Sequence, residues 1–525
     1  MKWTRVAAGA ATALGAVAAH DMMQKKHAIL RNFPIVGHLR FTLERFGPEL
    51  RQYIVTSNDE ERPFSRDQRR WVYASAKGEN SYFGFGTDND VEHTEGYPVI
   101  KHRTFAGPGA MTGRHADEGV PLPMGKVLGA PRGRQHAVRP ASVVNISGMS
   151  FGSLSGNAIT ALNRGALLAG CLQNTGEGAL APYHRQGGEI VFQIGTSYFG
   201  CRDERGRFDL ARLKDLVASA PVRAIEIKLS QGAKPGLGGM LPAAKVTPEI
   251  AEIRGIPVGQ DCASPSRHQV FDDVDSMLDF VELVATETGL PVGIKSAVGN
   301  LGFWDDLVKH MEGLRSANGR GVDFVNIDGG EGGTGAAPLV FADSVAYPFR
   351  LGFARVYSRF ARAGLADDVV FIGGGKLGLP ESATVAFALG CDGIQVGREA
   401  MFAVGCIQAQ KCHTDKCPTG VATQDPWLQR GLDPNSKAER VHNYVLALRR
   451  DLLKVSEAVG VCHPGLIGPA DIDVADGTRS ARGLREVYGY EPGWGELGPA
   501  LQEDVVALMR AHLPERERPP TQTPA

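Results

Sequence analysis

Short runs of apolar, β-prone residues recur between residues 140 and 400, each closed by glycine or polar residues. They are VVNIS (143–147), CLQNT (171–175), IVFQIG (190–195), AIEIKLS (224–230), PVGIKSA (291–297), FVNIDGG (324–330), VVFIGGG (369–375) and GIQVGR (393–398). Most are apolar on consecutive positions rather than alternating, the pattern of parallel strands covered on both faces. GNAITALNRGALLA, FDLARLKDLVAS, VDSMLDFVELVATE and PESATVAFALG, which come after several of them, carry apolar residues at helical intervals. Eight β/α units in about 260 residues predict a (β/α)8 TIM barrel, with a doubly wound open sheet as the alternative. No fixed-period repeat indicates a solenoid.

The flanks differ in texture. Residues 21–139 read as an N-terminal cap region, 140–430 as the barrel, and 431–525 as a C-terminal helical extension ending in the Pro-rich tail ERERPPTQTPA, expected to be disordered. The stretch from Gly78 to Asp90 reads as loop. The gap of about 60 residues between the fourth and fifth strands is a candidate substrate lid, because barrel loops on that side carry chemistry. Within residues 1–20, Val6 to Ala19 are apolar, with Lys2 and Arg5 before them. A spanning helix needs about 20 apolar residues, so this run reads as a weak membrane anchor, a flexible tail, or the apolar part of a leader with AVAA as its cleavage site. Lys25, Lys26, Arg31 and Arg40 favour keeping the residues beyond the run on the cytoplasmic side.

Composition narrows the picture. Apolar content of 43% and charged content of 22% are those of a globular protein, and a net charge of −1 gives no bulk attraction for nucleic acid. Eight cysteines in 525 residues are too sparse for a disulfide framework. Three of them, Cys406, Cys412 and Cys417, are spaced C-x5-C-x4-C with Pro418 following. Thiolates on one loop can wrap a soft metal centre, and three Cys with a Cys-Pro suit an iron–sulfur cluster. Zinc would need a fourth ligand, such as His413. Three buried structural thiols are the bland alternative.

A barrel holds phosphate between the loops after its seventh and eighth strands. Here these carry Gly373, Gly374, Gly375 and Lys376, then Gly397 and Arg398, where glycine lets backbone N–H groups approach oxygen and the cations add charge. Tight turns explain the same glycines. Lys228 and Lys295 end the fourth and fifth strands, and a lysine there is costly unless it meets an anion or pairs with a barrel carboxylate such as Glu226 or Asp328. NTGEG (174–178) and DGGEGGTGAAP (328–338) bring Thr175, Glu177, Asp328 and Thr334 to the same mouth, either as ligands or as caps of glycine turns.

SGMSFGSLS, NTGEG, KLSQGAKPGLGGMLP, DGGEGGTGAAP and CPTGVATQ, in order from about 140 to 430, resemble the synthase domain of glutamate synthase. The resemblance implies FMN in the barrel and a [3Fe-4S] cluster on Cys406, Cys412 and Cys417, in an oxidoreductase that reduces 2-iminoglutarate to L-glutamate. It implies flavin contacts from Met149, Ser150, Asn174, Thr175, Gln193, Lys295, Asp328, Gly329 and Gly330, and phosphate contacts from Gly373, Gly374, Gly375, Gly397 and Arg398. It also implies a substrate site of Lys228, Gln231, Lys234, Gly332 and Thr334, with Lys295, Lys228 and Gln231 catalytic. The large enzymes open with a glutaminase domain whose N-terminal Cys is the nucleophile, whereas this chain opens Met1-Lys2-Trp3, and Leu237 stands where the family's QGAKPGEGG has Glu. Ammonia is therefore expected from solution or a partner, and electrons from a ferredoxin-like or membrane-linked donor. An N-alkyl amino acid such as N-methylglutamate is an alternative substrate. A non-catalytic electron-transfer or scaffold subunit is the other reading, against which stand the retained Lys295 and cysteines.

Overall fold

The computed structural model describes residues 2–24, 27–56, 60–79, 82, 84–87, 89–105, 121–311 and 319–511. Lys25, Lys26 and the tail ERERPPTQTPA lie outside the described residues, as do Asn80, Ser81, Phe83 and Asp88 of the expected 78–90 loop. The described remainder of that loop carries no helix or strand. The chain forms two compact units, Met1–Gln68 and Arg69–Ala525.

In the first unit a helix spans Lys2–Met23, beyond both ends of the apolar run. A short helix, Ala28–Asn32, leads to a second long one, Gly37–Leu50, continued by a wider turn over Arg51–Val55. Pro48 lies in that helix and lacks an N–H, and the wider turn comes directly after it. Asp21 ties the hairpin together: its buried carboxylate accepts from the Ile35 N–H and His38 Nε2, both at 2.9 Å.

In the second unit eight strands close a parallel barrel: β1 (Val144–Ile146), β2 (Gln173–Asn174), β3 (Ile190–Ile194), β4 (Val222–Lys228), β5 (Val292–Ser296), β6 (Phe324–Asp328), β7 (Val370–Gly374) and β8 (Gly393–Val396). They pair in sequence order, and β8 pairs back onto β1 through Ile394–Val144 and Val396–Ile146. That closure excludes the open doubly wound sheet. All eight predicted runs became its strands, since β-branched residues packed on both faces leave no solvated side. The outer layer includes α1 (Gly156–Ala169), α2 (Leu210–Ala218), α3 (Val274–Thr288), α4 (Gly302–Met311), α5 (Phe349–Arg362), α6 (Pro380–Ala388) and α7 (Arg398–Val404). Ser155 and Asp273 cap α1 and α3 by accepting from the N–H groups of Ala158 and Ser276.

The C-terminal extension contributes α8 (Pro434–Val459), which lies on α1 at close range. A Cβ on Gly165 would come within 2.5 Å of Val441 Cβ, so glycine sets that approach. At the N-terminal end of the barrel, Leu128 pairs with Val138, and a Cβ on Gly393 would collide with Met124 Cε. Met124 thus plugs the floor. Beside it the Lys126 ammonium donates to the Ala366 and Val369 carbonyls and to Asp392 Oδ2 at 2.9 Å. Chemistry is left to the other end of the barrel.

Candidate active site at the barrel mouth

Alternation along each strand sends every second residue into the barrel. On β4 this points Ala224, Glu226 and Lys228 inward while Ile225 and Ile227 face the helices. Glu226 is fully buried and collects three amide donors from three other strands. Asn174 Nδ2 at 2.7 Å and Gln193 Nε2 at 2.6 Å bond one oxygen, and Asn326 Nδ2 at 2.7 Å bonds the other. Asn326 Nδ2 reaches Gln395 Oε1 as well, at 3.0 Å. A carboxylate buried this deep is tolerable because its acceptors are filled by oriented dipoles. The predicted Asn174 and Gln193 thus form part of the polar floor of the mouth.

One layer above, Lys228 and Lys295 stand side by side as partners in the β4–β5 register. Each meets an acid. Lys228 Nζ lies 2.7 Å from Glu177 Oε1 and 2.5 Å from Gln231 Oε1. Lys295 Nζ lies 3.6 Å from Asp328 Oδ2, which also accepts the Gly232 N–H at 2.9 Å. Burial works against the Lys295 ammonium, yet Asp328 and Glu226 hold its pKa above the ordinary value. Burial likewise opposes the Glu177 carboxylate, and Lys228, with Lys234 and Arg254 behind it, holds its pKa below the usual range. Lys234, which donates to the Ala336 carbonyl, is pushed down to about 8 by burial and by Lys228. Lys228, Gln231, Lys234, Lys295 and Asp328 therefore converge on one face of the mouth.

The glycine loops stack backbone on backbone. Gly232 packs against the Gly329 carbonyl, and Gly330 donates to Tyr347 O while Gly332 donates to Gly329 O. A Cβ on Gly373 would come within 2.8 Å of the Phe349 ring, and one on Gly374 within 3.1 Å of Asp328 Oδ1. Gly375 sits at φ 113° and Lys376 at φ 61°. Gly397 precedes α7, and Arg398 Nη2 donates to Glu331 O at 2.5 Å, across a Gly333 that leaves room for its side chain. Thr175 turns to the backbone: its buried hydroxyl accepts the Gln193 N–H and donates to Gly176 O. Met149 and Ser150, half-buried, back onto Gly176, where a Cβ would strike the Ser150 nitrogen at 2.7 Å. Thr334 is half-buried in the same loop as Gly332.

Cys406, Cys412 and Cys417 lie on the loop after α7, with left-handed backbone at Gln408, Gln410 and Asp415. Cys406 Sγ accepts the Gln408 N–H at 3.4 Å, and Cys417 Sγ lies 3.6 Å from Thr419 Oγ1. Burial pushes the Cys406 thiol up to about 12, with Cys412 and Cys417 acting in the same direction, and burial followed by Cys417 raises Cys412. Among the described residues no three His, Cys, Asp or Glu side chains stand together as a metal site, so the trio expected from the spacing is not drawn into one here. The loop is nevertheless pinned. Buried Lys245 Nζ donates to the carbonyls of Ser153, Cys412 and Ala422, and Gln424 Nε2 to those of Gly152 and Leu154.

Sequence reasoning missed several contributors. Glu226 figured only as a lysine's partner, whereas amides occupy it. Tyr198 and His268 form a relay beside β4: His268 Nε2 donates to Lys228 O at 3.0 Å, so Nδ1 is the acceptor for Tyr198 at 3.2 Å. Glu226 carried a signal, a polar residue inside an apolar run, whereas His268 sits among polar residues and carried none.

Residues 131–462 match the conserved region in glutamate synthase. A glutamate synthase large subunit-like protein, YerD, of Bacillus subtilis is 36% identical over 472 residues, covering 85% of this chain and 89% of the relative. The archaeal glutamate synthase [NADPH] of Methanocaldococcus jannaschii is 36% identical over 327 residues, covering 61% of this chain and 59% of the relative. Among solved structures, mandelate oxidase aligns at 15% identity and a TM-score of 0.42, covering 72% of this chain and 86% of that one.

Proposed function

The chain belongs to the glutamate synthase family, and on that premise we propose that it is an FMN- and iron–sulfur-dependent oxidoreductase that makes L-glutamate from 2-oxoglutarate, ammonia and two electrons. The catalytic part is the stretch 140–430. The observation that carries the reading is the side-by-side pair Lys228 and Lys295, each buried at the barrel mouth with its own carboxylate.

The residues fit the flavin. The Gly373–Gly375 turn excludes side chains, so backbone alone faces the mouth there, and Gly397 and Arg398 add a second edge and a charge for its phosphate. When bound, FMN supplies the electron pair that reduces the imine carbon. Lys295, kept charged by Asp328 and Glu226, places fixed positive charge where the reduced ring would be anionic. Lys228 and Lys234 bind the carboxylates of the oxo acid, and Gln231 orients Lys228. Lys234, pushed down to about 8, is positioned to hold or release a proton near neutral pH. Cys406, Cys412 and Cys417 fit a three-thiolate cluster by their shared pinned loop and their N–H and O–H neighbours. A ferredoxin-like or membrane-linked donor supplies the electrons, and ammonia enters from solution or from a partner. The reaction takes place in the cytoplasm, with the N-terminal apolar helix attaching the chain to the inner face of the membrane.

The test is direct. Anaerobically purified protein is assayed for FMN and iron, then reduced and mixed with 2-oxoglutarate and ammonium. Glutamate forming at the expense of reduced flavin is the expected result. A chain loaded with FMN that yields no glutamate, and whose flavin no imino acid reoxidises, would overturn the reading.

A further inference from the structure

The helix Lys2–Met23 contains a stretch, Arg5–Met23, long and apolar enough to cross a bilayer, and 6% of its most apolar window is buried within the protein. The helix runs past Ala19, the end of the apolar run. Its last turn is also built into the unit, through Asp21 to Ile35 and His38 and through the Gln24 amide to the His27 carbonyl. The next long helix has an unusual surface. Val36, Leu39, Leu43, Phe46, Leu50 and Ile54 recur at intervals of three and four, and each is 42% exposed or more. At about 100° per residue they fall within one arc of roughly 80°. Phe41, on the opposite side, packs its ring against His27 at 5.0 Å. Arg40 and Arg51 are exposed along one edge of the stripe, Arg40 with its Nη2 2.7 Å from Glu44 Oε1. A helix of this design, apolar along one line and basic beside it, fits the headgroup boundary of an anionic bilayer rather than water.

We propose that residues 2–56 form a two-part bilayer-binding unit, in which the first helix crosses the membrane and the second lies in its surface with the Val36–Ile54 stripe among the acyl chains. Asp21 and His38 then form the elbow where the span ends, which gives a carboxylate at the membrane edge its partners. The inference rests on the membrane attachment read above and adds a second contact with its own chemistry.

The experiment uses the full chain in vesicles of phosphatidylethanolamine and phosphatidylglycerol. Phe46→Trp places a reporter on the stripe, and Glu44→Trp places one on the far side of the same helix. Flotation reports attachment. Quenching by lipids brominated on the acyl chain, read as the difference from the parent protein, reports depth. The expected result is flotation of both variants, with acyl-chain quenching at position 46 several-fold stronger than at position 44. Flotation with equal quenching at both positions would overturn the surface helix while leaving the crossing helix standing. Failure to float, or a purified chain that starts beyond Ala19, would overturn the attachment and this inference together.

Discussion

Replacing Lys295 by Met isolates the electrostatics on which the site depends. The ammonium is buried and lies 3.6 Å from Oδ2 of the half-buried Asp328, with Glu226 behind them. At an effective dielectric of about 20 that separation is worth roughly 5 kcal/mol gross, and removing one member of a buried pair costs about 3–5 kcal/mol in practice. The pH dependence comes from the pKa directions. Lys295 is held above its ordinary value, so its contribution is complete below about pH 10 and fades only as the pH rises through the folded value. In the variant Asp328 is left beside Glu226 without its cation. Guanidinium titrations followed by tryptophan fluorescence at about pH 7 measure the loss, with the parent run alongside. Adding Asp328→Asn to Lys295→Met should recover most of the loss. A deficit below about 1 kcal/mol, or one untouched by the second substitution, would refute the reasoning.

Burial pushes His184, His268 and His463 down to about 4, so each is neutral in the fold and charges readily in the unfolded chain. Their folded pKa values lie below the unfolded one, so stability is lost as the pH falls from about 6.5 toward 4, with each histidine contributing a slope of up to about 1.4 kcal/mol per pH step of one. A thermal-unfolding series that stays flat across that range contradicts it. Gly165→Ala drives a methyl group to 2.5 Å from Val441 Cβ and 2.9 Å from Ala438 O, and should cost about 1–3 kcal/mol in denaturant titration. Pairing it with Val441→Ala should recover part of that cost, and no recovery would mean that α1 and α8 do not meet there.

The barrel was legible because parallel strands buried on both faces leave an unbroken apolar record. Lys228 and Lys295 stood out for the opposite reason, as charges at the ends of such runs. Their partners were only half legible: Asp328 was named, with Glu226, as a carboxylate for either lysine, but Glu177, 51 residues from Lys228, is joined to it only by closure of the barrel. The Glu226 hub is further out of reach, because Asn326 lies 100 residues away and no local pattern encodes the meeting. The N-terminal helix was underestimated for a local reason. The apolar run ends at Ala19, but helix continues through His20 and Asp21, since the carboxylate finds its partners in the following turn. The cysteine spacing was plain, but Lys245, which pins that loop, lies 167 residues from Cys412 and no local pattern links them.

Lys245 joins segments that are far apart in the chain: Ser153 belongs to the loop after β1, and Cys412 and Ala422 flank the last of the clustered cysteines. One ammonium thus acts as a rivet through two walls. Lifting the cysteine loop strips a buried cation of two acceptors and loosens its hold on the third, at the mouth. Damage to the loop is therefore transmitted to the mouth of the barrel, so the two fail together rather than one at a time.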